Sequence, residues 1–213
     1  MPGARPEMQF ATLAQQAETA QVGLWVFLAT EVMFFGAALF TYTVLRHYYP
    51  AGFAEAGRET KIVIGSVNTA VLLTSSATMA WAVHAAEQKQ HRLLTGLLAA
   101  TAGLGLVFMV LKGFEYYKEY EEHLIPGLNF VSHSVHARAI ELFYFLYFIL
   151  TGIHAVHLTI GISILTVIMK RAWRGDYTRG YSAPVEITGY YWHFVDLLWI
   201  FLYPLIYLNG RSG

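Results

Sequence analysis

The stretch that decides the fold class runs from Ile62 to Val83 and reads IVIGSVNTAVLLTSSATMAWAV, 22 residues without a charge. A helix of that length extends about 33 Å, which is enough to cross a bilayer core of roughly 30 Å. Four further segments repeat this apolar character, so the predicted helices cover about residues 22–45, 62–83, 93–118, 139–169 and 187–208. The sequence therefore predicts an all-α membrane protein, a bundle of five transmembrane helices.

The composition agrees with this class. Hydrophobic residues make up 56% of the 213 residues, while charged residues make up 13%, about half of the roughly 25% typical of a soluble domain. Cysteine is absent, which excludes disulfides and thiolate metal sites. The net charge is zero, so nothing favours a nucleic-acid partner. The first twenty residues lack the compact apolar core of a signal peptide, and the connections are too short for a second folded unit, so residues 1–213 are predicted to form one domain.

Loop charges predict the orientation. Basic residues concentrate after the fourth helix, and short loops rich in Lys and Arg lie on the cytoplasmic side of a membrane; these residues are Lys170, Arg171, Arg174 and Arg179. Alternation from that loop places the N-terminus inside and the C-terminus outside. The connection between the first two helices, which contains Tyr49, Pro50 and Gly52, is predicted to be a turn-rich loop.

Five ionisable residues lie at membrane depth, where each is costly and needs a partner or a function. They are Glu31, His154, His157, His193 and Asp196. The spacing of three places His154 and His157 on one helix face, and His193 and Asp196 on another. A polar cluster between helices is therefore predicted.

The three membrane histidines allow two interpretations. They could bind haem or a metal, since neutral imidazole is a common ligand. They could instead form interhelical hydrogen bonds, which we favour because they occupy only two helices and no Glu-x-x-His pair is present. Glu31 is either a proton-handling or partner-contacting acid, or a carboxylic acid hydrogen-bonded to a His or Thr of a neighbouring helix, and the sequence leaves both open.

Two further patterns have structural interpretations. Lys112 and Glu115, three residues apart at the end of the third helix, are predicted to extend as a pair into the headgroup layer. Ala99 and Gly103 lie four residues apart, a spacing of small residues that predicts close helix contact.

Several segments together resemble a known family. The string Tyr191-Trp192-His193-Phe194-Val195-Asp196 near the C-terminus resembles the last helix of cytochrome c oxidase subunit III. Four other segments resemble motifs of the same family in the same order: Thr30 to Phe35, Asn68-Thr69, Lys112 to Tyr117, and Gly152 to His157.

The resemblance implies a non-catalytic subunit of an aerobic respiratory terminal oxidase. Such a subunit packs on the haem–copper catalytic subunit, retains phospholipid, and supports proton uptake and stability during turnover. The resemblance places haem and copper in partner chains, with none in this one, and implies contacts with subunit I, subunit II and further oxidase or supercomplex subunits. It assigns no catalytic, cofactor or metal residue here; the residues carried over as proton-supporting or structural are Glu31, Asn68, Glu115, His154, His157, His193 and Asp196.

The resemblance also carries one departure and several alternatives. Many family members have seven helices, and this chain begins at what resembles the third, which leaves the family's lipid sites open. An accessory subunit of a quinol oxidase or nitric oxide reductase is a close alternative, and an independent membrane enzyme that binds haem or metal is a more distant one. The expected location is an energy-transducing membrane, the bacterial inner membrane.

Overall fold

The computed structural model describes residues 8–175, 177 and 182–208, and in this part of the chain every regular element is a helix. The helices are α1 (Leu13–Tyr48), α2 (Pro50–Glu59), α3 (Ile62–Glu87), α4 (His91–Glu121), α5 (Ala137–Trp173) and α6 (Ala183–Tyr207). By length and composition, four of them, α1, α3, α4 and α5, can cross a membrane. The all-α membrane class is thus confirmed, while the fifth span and the orientation stay predictions, and Arg179 lies outside the described residues.

The long helices extend beyond the predicted apolar runs. Helix α1 begins at Leu13, nine residues before the predicted start, because the Thr12 side chain accepts a hydrogen bond from the Gln15 backbone N–H at 3.1 Å and caps the helix. Hydropathy marks only the part of a helix that the bilayer covers, so capped polar extensions are missed.

The predicted loop after the first span is wrong, because residues 50–59 form α2. Pro50 occupies the first turn of α2, where its missing N–H costs nothing. Phe53 and Ala56 are fully buried on one face. Gly52 packs so closely on α5 that a Cβ added there would lie 2.4 Å from the Cβ of Ala139. A short helix with one apolar face therefore lies against the bundle where turn residues suggested a connection.

Trp192 of α6 fixes the centre of the bundle. Its ring is fully buried, and its Nε1–H donates to the Ser75 hydroxyl of α3 at 3.0 Å. Added Cβ atoms at Gly105 of α4 and Gly161 of α5 would lie 2.9 and 3.1 Å from the same ring. Within this chain Gly103 makes no such close contact, since an added Cβ there has no neighbour within 4 Å; the glycine of α4 that a neighbouring helix approaches closely is Gly105.

The two ends of the bundle differ. One end, here called the α2 end, holds α2, the start of α3, the end of α4, the start of α5 and the last turn of α6. The opposite end holds the start of α1, the α3–α4 turn and the end of α5. These two names for the ends make no reference to the sides of the membrane.

Candidate functional site

Glu31 and His157 form a bridge between α1 and α5. Glu31 Oε2 lies 3.0 Å from His157 Nε2, and both side chains are largely buried. The other ring nitrogen, Nδ1, lies 2.9 Å from the backbone oxygen of Ile153, which can only accept, so Nδ1 carries a proton. The Nε2–Oε2 bond then requires exactly one further proton, on the acid or on the imidazole. The arrangement is chemically a shared-proton pair between two helices.

A second polar contact joins α3 to α6. The Ser76 hydroxyl lies 2.7 Å from Nδ1 of His193. Asp196, one turn further along α6, is buried, and neither of its carboxyl oxygens meets hydrogen-bond geometry with another described residue. The Ser76 hydroxyl is nevertheless near enough to interact with that carboxyl. The predicted pairing of His193 with Asp196 on one face therefore includes Ser76, which the sequence did not single out.

His154 has a different environment from His157. Its ring is fully buried, with centroids 5.6 Å from Phe108 of α4 and 5.1 Å from Trp199 of α6. Within the described residues, neither ring nitrogen has a hydrogen-bond partner. His157 instead faces α1, so the two histidines contact different helices although their spacing predicted a common face. The membrane-depth residues form separate contacts and do not converge on one cluster.

Lys112 and Glu115 form a buried ion pair in α4. Their side chains are 4% and 0% exposed, so the predicted position in the headgroup layer is wrong. The Lys112 ammonium donates to Glu115 Oε2 at 3.1 Å, to the Tyr147 hydroxyl at 2.8 Å and to the Tyr207 hydroxyl at 2.7 Å. Tyr207 in turn donates to Glu115 Oε1 at 2.8 Å. All three ammonium donors are thus satisfied inside the bundle, which is what makes a buried ion pair tolerable.

Aromatic rings complete the surroundings of Lys112. Its Nζ lies 4.5 Å from the ring centroid of Tyr147 and 5.4 Å from that of Trp199, distances at which a ring quadrupole attracts a cation. Tyr147 of α5 lies 35 residues from Lys112 in the sequence, and Tyr207 of α6 lies 95 residues from it. Nothing local to Lys112 could have identified them.

Asn68 of α3 is fully buried, and neither side-chain atom has a hydrogen-bond partner among the described residues. The next residue, Thr69, accepts a hydrogen bond from Trp199 Nε1 at 3.0 Å, and Gly65, one turn earlier, packs on the Tyr207 ring. Asn68 therefore lies on the helix that α6 covers.

The described residues contain no group of three or more His, Asp or Glu side chains placed to hold a metal ion. The fold and these contacts define a class: an integral membrane helix bundle with buried polar side chains, some of which pair within or between helices, as Lys112 does with Glu115 and Glu31 with His157.

Comparison with known proteins narrows the class to a family. Residues 11–211 match the family model described as cytochrome c oxidase subunit III. A cytochrome c oxidase subunit 3 of Synechocystis is 31% identical over 187 residues, covering 87% of this chain and 74% of that protein. A probable cytochrome c oxidase subunit 3 of Rickettsia felis is 29% identical over 206 residues, covering 89% of this chain and 68% of that protein. The subunit 3 of Branchiostoma lanceolatum is 32% identical over 197 residues, covering 88% of this chain and 68% of that protein.

The chain belongs to the cytochrome c oxidase subunit III family. The family expected from the sequence motifs is confirmed, and membership makes the chain part of an oxidase complex of the respiratory chain.

Proposed function

We propose that this chain is the non-catalytic subunit III of an aerobic terminal oxidase, a cytochrome c oxidase, and packs on its haem–copper subunit I. The observation that carries the proposal is the family match over residues 11–211. The pairing of polar groups inside the chain agrees with a subunit that has no cofactor of its own. The Lys112 ammonium donates to Glu115 and two tyrosines, and both ring nitrogens of His157 bond to protein atoms. Haem and copper would then reside in partner subunits, with subunit II and further oxidase or supercomplex subunits completing the assembly.

The proposed topology has five spans, with α6 as the fifth. Its 25 residues would extend about 37 Å. Its polar side chains Asp196 and His193 lower its hydropathy, but Asp196 is buried in the bundle and His193 bonds to Ser76 of α3. Lys170, Arg171 and Arg174 at the end of α5 support a cytoplasmic position for that end of the bundle. The chain has no cysteine, so Arg174→Cys creates a single site for an impermeant thiol reagent. We expect labelling from the cytoplasmic side only, and labelling from outside would reverse the orientation.

The proposed supporting role in proton uptake rests on the Glu31–His157 pair. A carboxyl and an imidazole 3.0 Å apart that share one proton can hold it between α1 and α5, largely shielded from solvent. The pair lies between α1 and the rest of the bundle. The proposed location is the bacterial inner membrane.

The proposed lipid retention rests on a groove at the α2 end with a volume of about 780 Å³. Arg138 can pair with a phosphate, and Leu142 and Phe145 provide apolar surface for an acyl chain. Phospholipid is therefore expected to remain with the purified complex after washes that remove bulk lipid. Complete loss of phospholipid with the chain still bound would remove this part of the proposal.

Expressing the chain without its partners can distinguish an accessory subunit from an independent membrane enzyme. We expect no stoichiometric haem, copper or iron in the purified chain, by absorbance and metal analysis. A stoichiometric cofactor would overturn the accessory role in favour of the membrane enzyme. The electron donor of the intact complex, cytochrome c or quinol, then distinguishes the proposed oxidase from a quinol oxidase.

A further inference from the structure

Three charged residues of α4 and the residue that caps its C-terminus form one stripe, with spacings of three, four and three. We call Lys112, Glu115, Glu119 and Glu122 the α4 stripe. Such spacings keep all four on one helix face over about 15 Å of its axis. The first three are buried, with Glu119 only 2% exposed, while Glu122 is exposed at the α2 end. The stripe therefore runs from the interior of the bundle to its surface.

At the surface the stripe meets a polar cavity of about 570 Å³. Glu122 lines it and pairs with Lys61 of α3. Ser134 and Glu55 of α2 also line it, and the Ser134 hydroxyl donates to the Glu55 carboxylate at 3.0 Å. The other polar residues that line the cavity are Glu59, Ser132 and His133.

Glu119 occupies the position between this cavity and the buried Lys112–Glu115 pair. Its backbone oxygen accepts from the N–H of Leu124, a residue that lines the cavity, at 3.0 Å. Its carboxyl lies near the hydroxyl of Tyr147, which accepts a hydrogen bond from the Lys112 ammonium at 2.8 Å. Within the described residues, the second carboxyl oxygen, Oε2, has no hydrogen-bond partner.

The groups that act on Glu119 come from two helices. Lys112 and Glu115 belong to its own helix, Glu122 caps the end of that helix, and Tyr144 and Tyr147 belong to α5. Tyr207 of α6 is connected to this group indirectly, because its hydroxyl accepts a hydrogen bond from Lys112 and donates one to Glu115. A buried carboxyl that has one oxygen without a partner among the described residues, and a polar cavity one helical turn away, is placed to take up and release a proton.

We propose that Glu119 is a proton-exchange site that connects the buried Lys112–Glu115 pair to the polar cavity at the α2 end. The proton is carried on Oε2 and comes from water in the cavity, past Glu122. This site is separate from Glu31 and His157, and it does not depend on the function proposed for the chain.

The test uses difference infrared spectroscopy of the intact complex in lipid nanodiscs, with the pH stepped on each variant. Glu119→Gln removes the titratable group and keeps its size, and Glu121→Gln is the matched control, an exposed acid on the same turn of α4. One component of the carbonyl bands of protonated, buried carboxyls should be present in the unmodified protein and in Glu121→Gln, and missing from Glu119→Gln, while components from other buried acids such as Glu31 and Asp196 remain. Carbonyl bands of Glu119→Gln that match those of the unmodified protein would overturn the proposal.

A second measurement tests the route. His133 lies at the exposed wall of the cavity, and His133→Cys allows a bulky thiol reagent to block it after folding. We expect the band to shift on transfer to D₂O several-fold more slowly after modification, while the same reagent leaves the unmodified sequence unaffected. An exchange rate that the block does not change would show that the proton arrives elsewhere and would refute the connection to the cavity.

Discussion

Nε2 of His157 and Oε2 of Glu31 lie 3.0 Å apart and join α5 to α1. This bond matters because α1 is largely exposed along its length and has few other polar contacts with the bundle. The Nδ1–H of His157 is already committed to the Ile153 oxygen, so the bond to Glu31 depends on a single shared proton.

Glu31→Gln is expected to keep the bond and lose the exchangeable proton. An amide N–H can donate to Nε2, so assembly and the initial rate of oxygen reduction should change little, whereas activity should decay faster over many turnovers. Glu31→Ala should also weaken the docking of α1, because an unpaired buried nitrogen costs about 1–3 kcal/mol. Activity against turnover number and thermal stability are the measurements, with Glu18→Gln, an exposed acid of α1, as the control. An unchanged lifetime in Glu31→Gln from neutral to alkaline pH would leave Glu31 a packing residue.

Lys112→Met is expected to destabilise the chain strongly. Removing one partner leaves the Glu115 carboxylate buried without its cation, which costs about 3–5 kcal/mol. The double variant Lys112→Met, Glu115→Gln should recover much of that loss, since no unpaired charge remains. Thermal unfolding in detergent measures both. Lys118→Met serves as the control, because Lys118 is only partly buried and contacts the Phe114 ring. Equal stability of the single and double variants would show that the pair does not act as a unit.

Gly105 packs against Trp192, so adding a methyl group there should destabilise the bundle, whereas the same change at Gly103 should not. Gly105→Ala places a methyl group 2.9 Å from the indole ring, and overpacking of this kind costs about 1–3 kcal/mol. Gly103→Ala meets no atom within 4 Å and should be neutral or slightly stabilising. Thermal stability of the two variants is the measurement. A Gly105→Ala variant as stable as Gly103→Ala would mean that α6 is not fixed by this contact.

Glu59 of α2, outside the membrane-spanning helices, should make stability depend on pH. Desolvation, followed by the charges of Glu55 and Glu122, raises the pKa of Glu59 above its ordinary value, with Lys61 opposing the shift. Because the pKa of Glu59 is higher in the folded than in the unfolded chain, protonated Glu59 favours folding. This contribution to the free energy of unfolding is fully present below the ordinary carboxyl pKa and is lost as pH rises through the raised value.

Glu59→Gln should therefore be more stable than the unmodified protein at neutral pH, and the difference should vanish in acid. Stability as a function of pH measures this, and Glu87→Gln, an exposed acid at the opposite end of the bundle, should show no such trend. A Glu59→Gln variant that is less stable at neutral pH would contradict the sign.

The sequence was sufficient for the class and the family, because uncharged runs such as Ile62–Val83 and motifs such as Gly152–His157 are local signals. It was insufficient for the partners of the buried charges. Lys112 and Glu115 looked like a surface pair because charge at a helix end usually reaches water. Their burial depends on hydroxyls of Tyr147 and Tyr207, which are distant in sequence and come close only when α5 and α6 pack.

The same limit applied to α2 and Glu119. Pro50 and Gly52 are turn residues by type, yet one begins a helix and the other allows its close approach to α5. The predicted third helix ended at residue 118 and so left out Glu119, although its spacing of four from Glu115 was an available signal that it continues the buried face of α4.

The most direct test of the central claim is the composition of the complex that this chain forms. The tagged chain, purified from its native membrane in mild detergent, should carry with it a large polypeptide that binds haem and copper, in a fixed ratio, and the preparation should reduce oxygen with cytochrome c as donor. Recovery of the chain alone, or with partners that contain neither haem nor copper, would contradict the account.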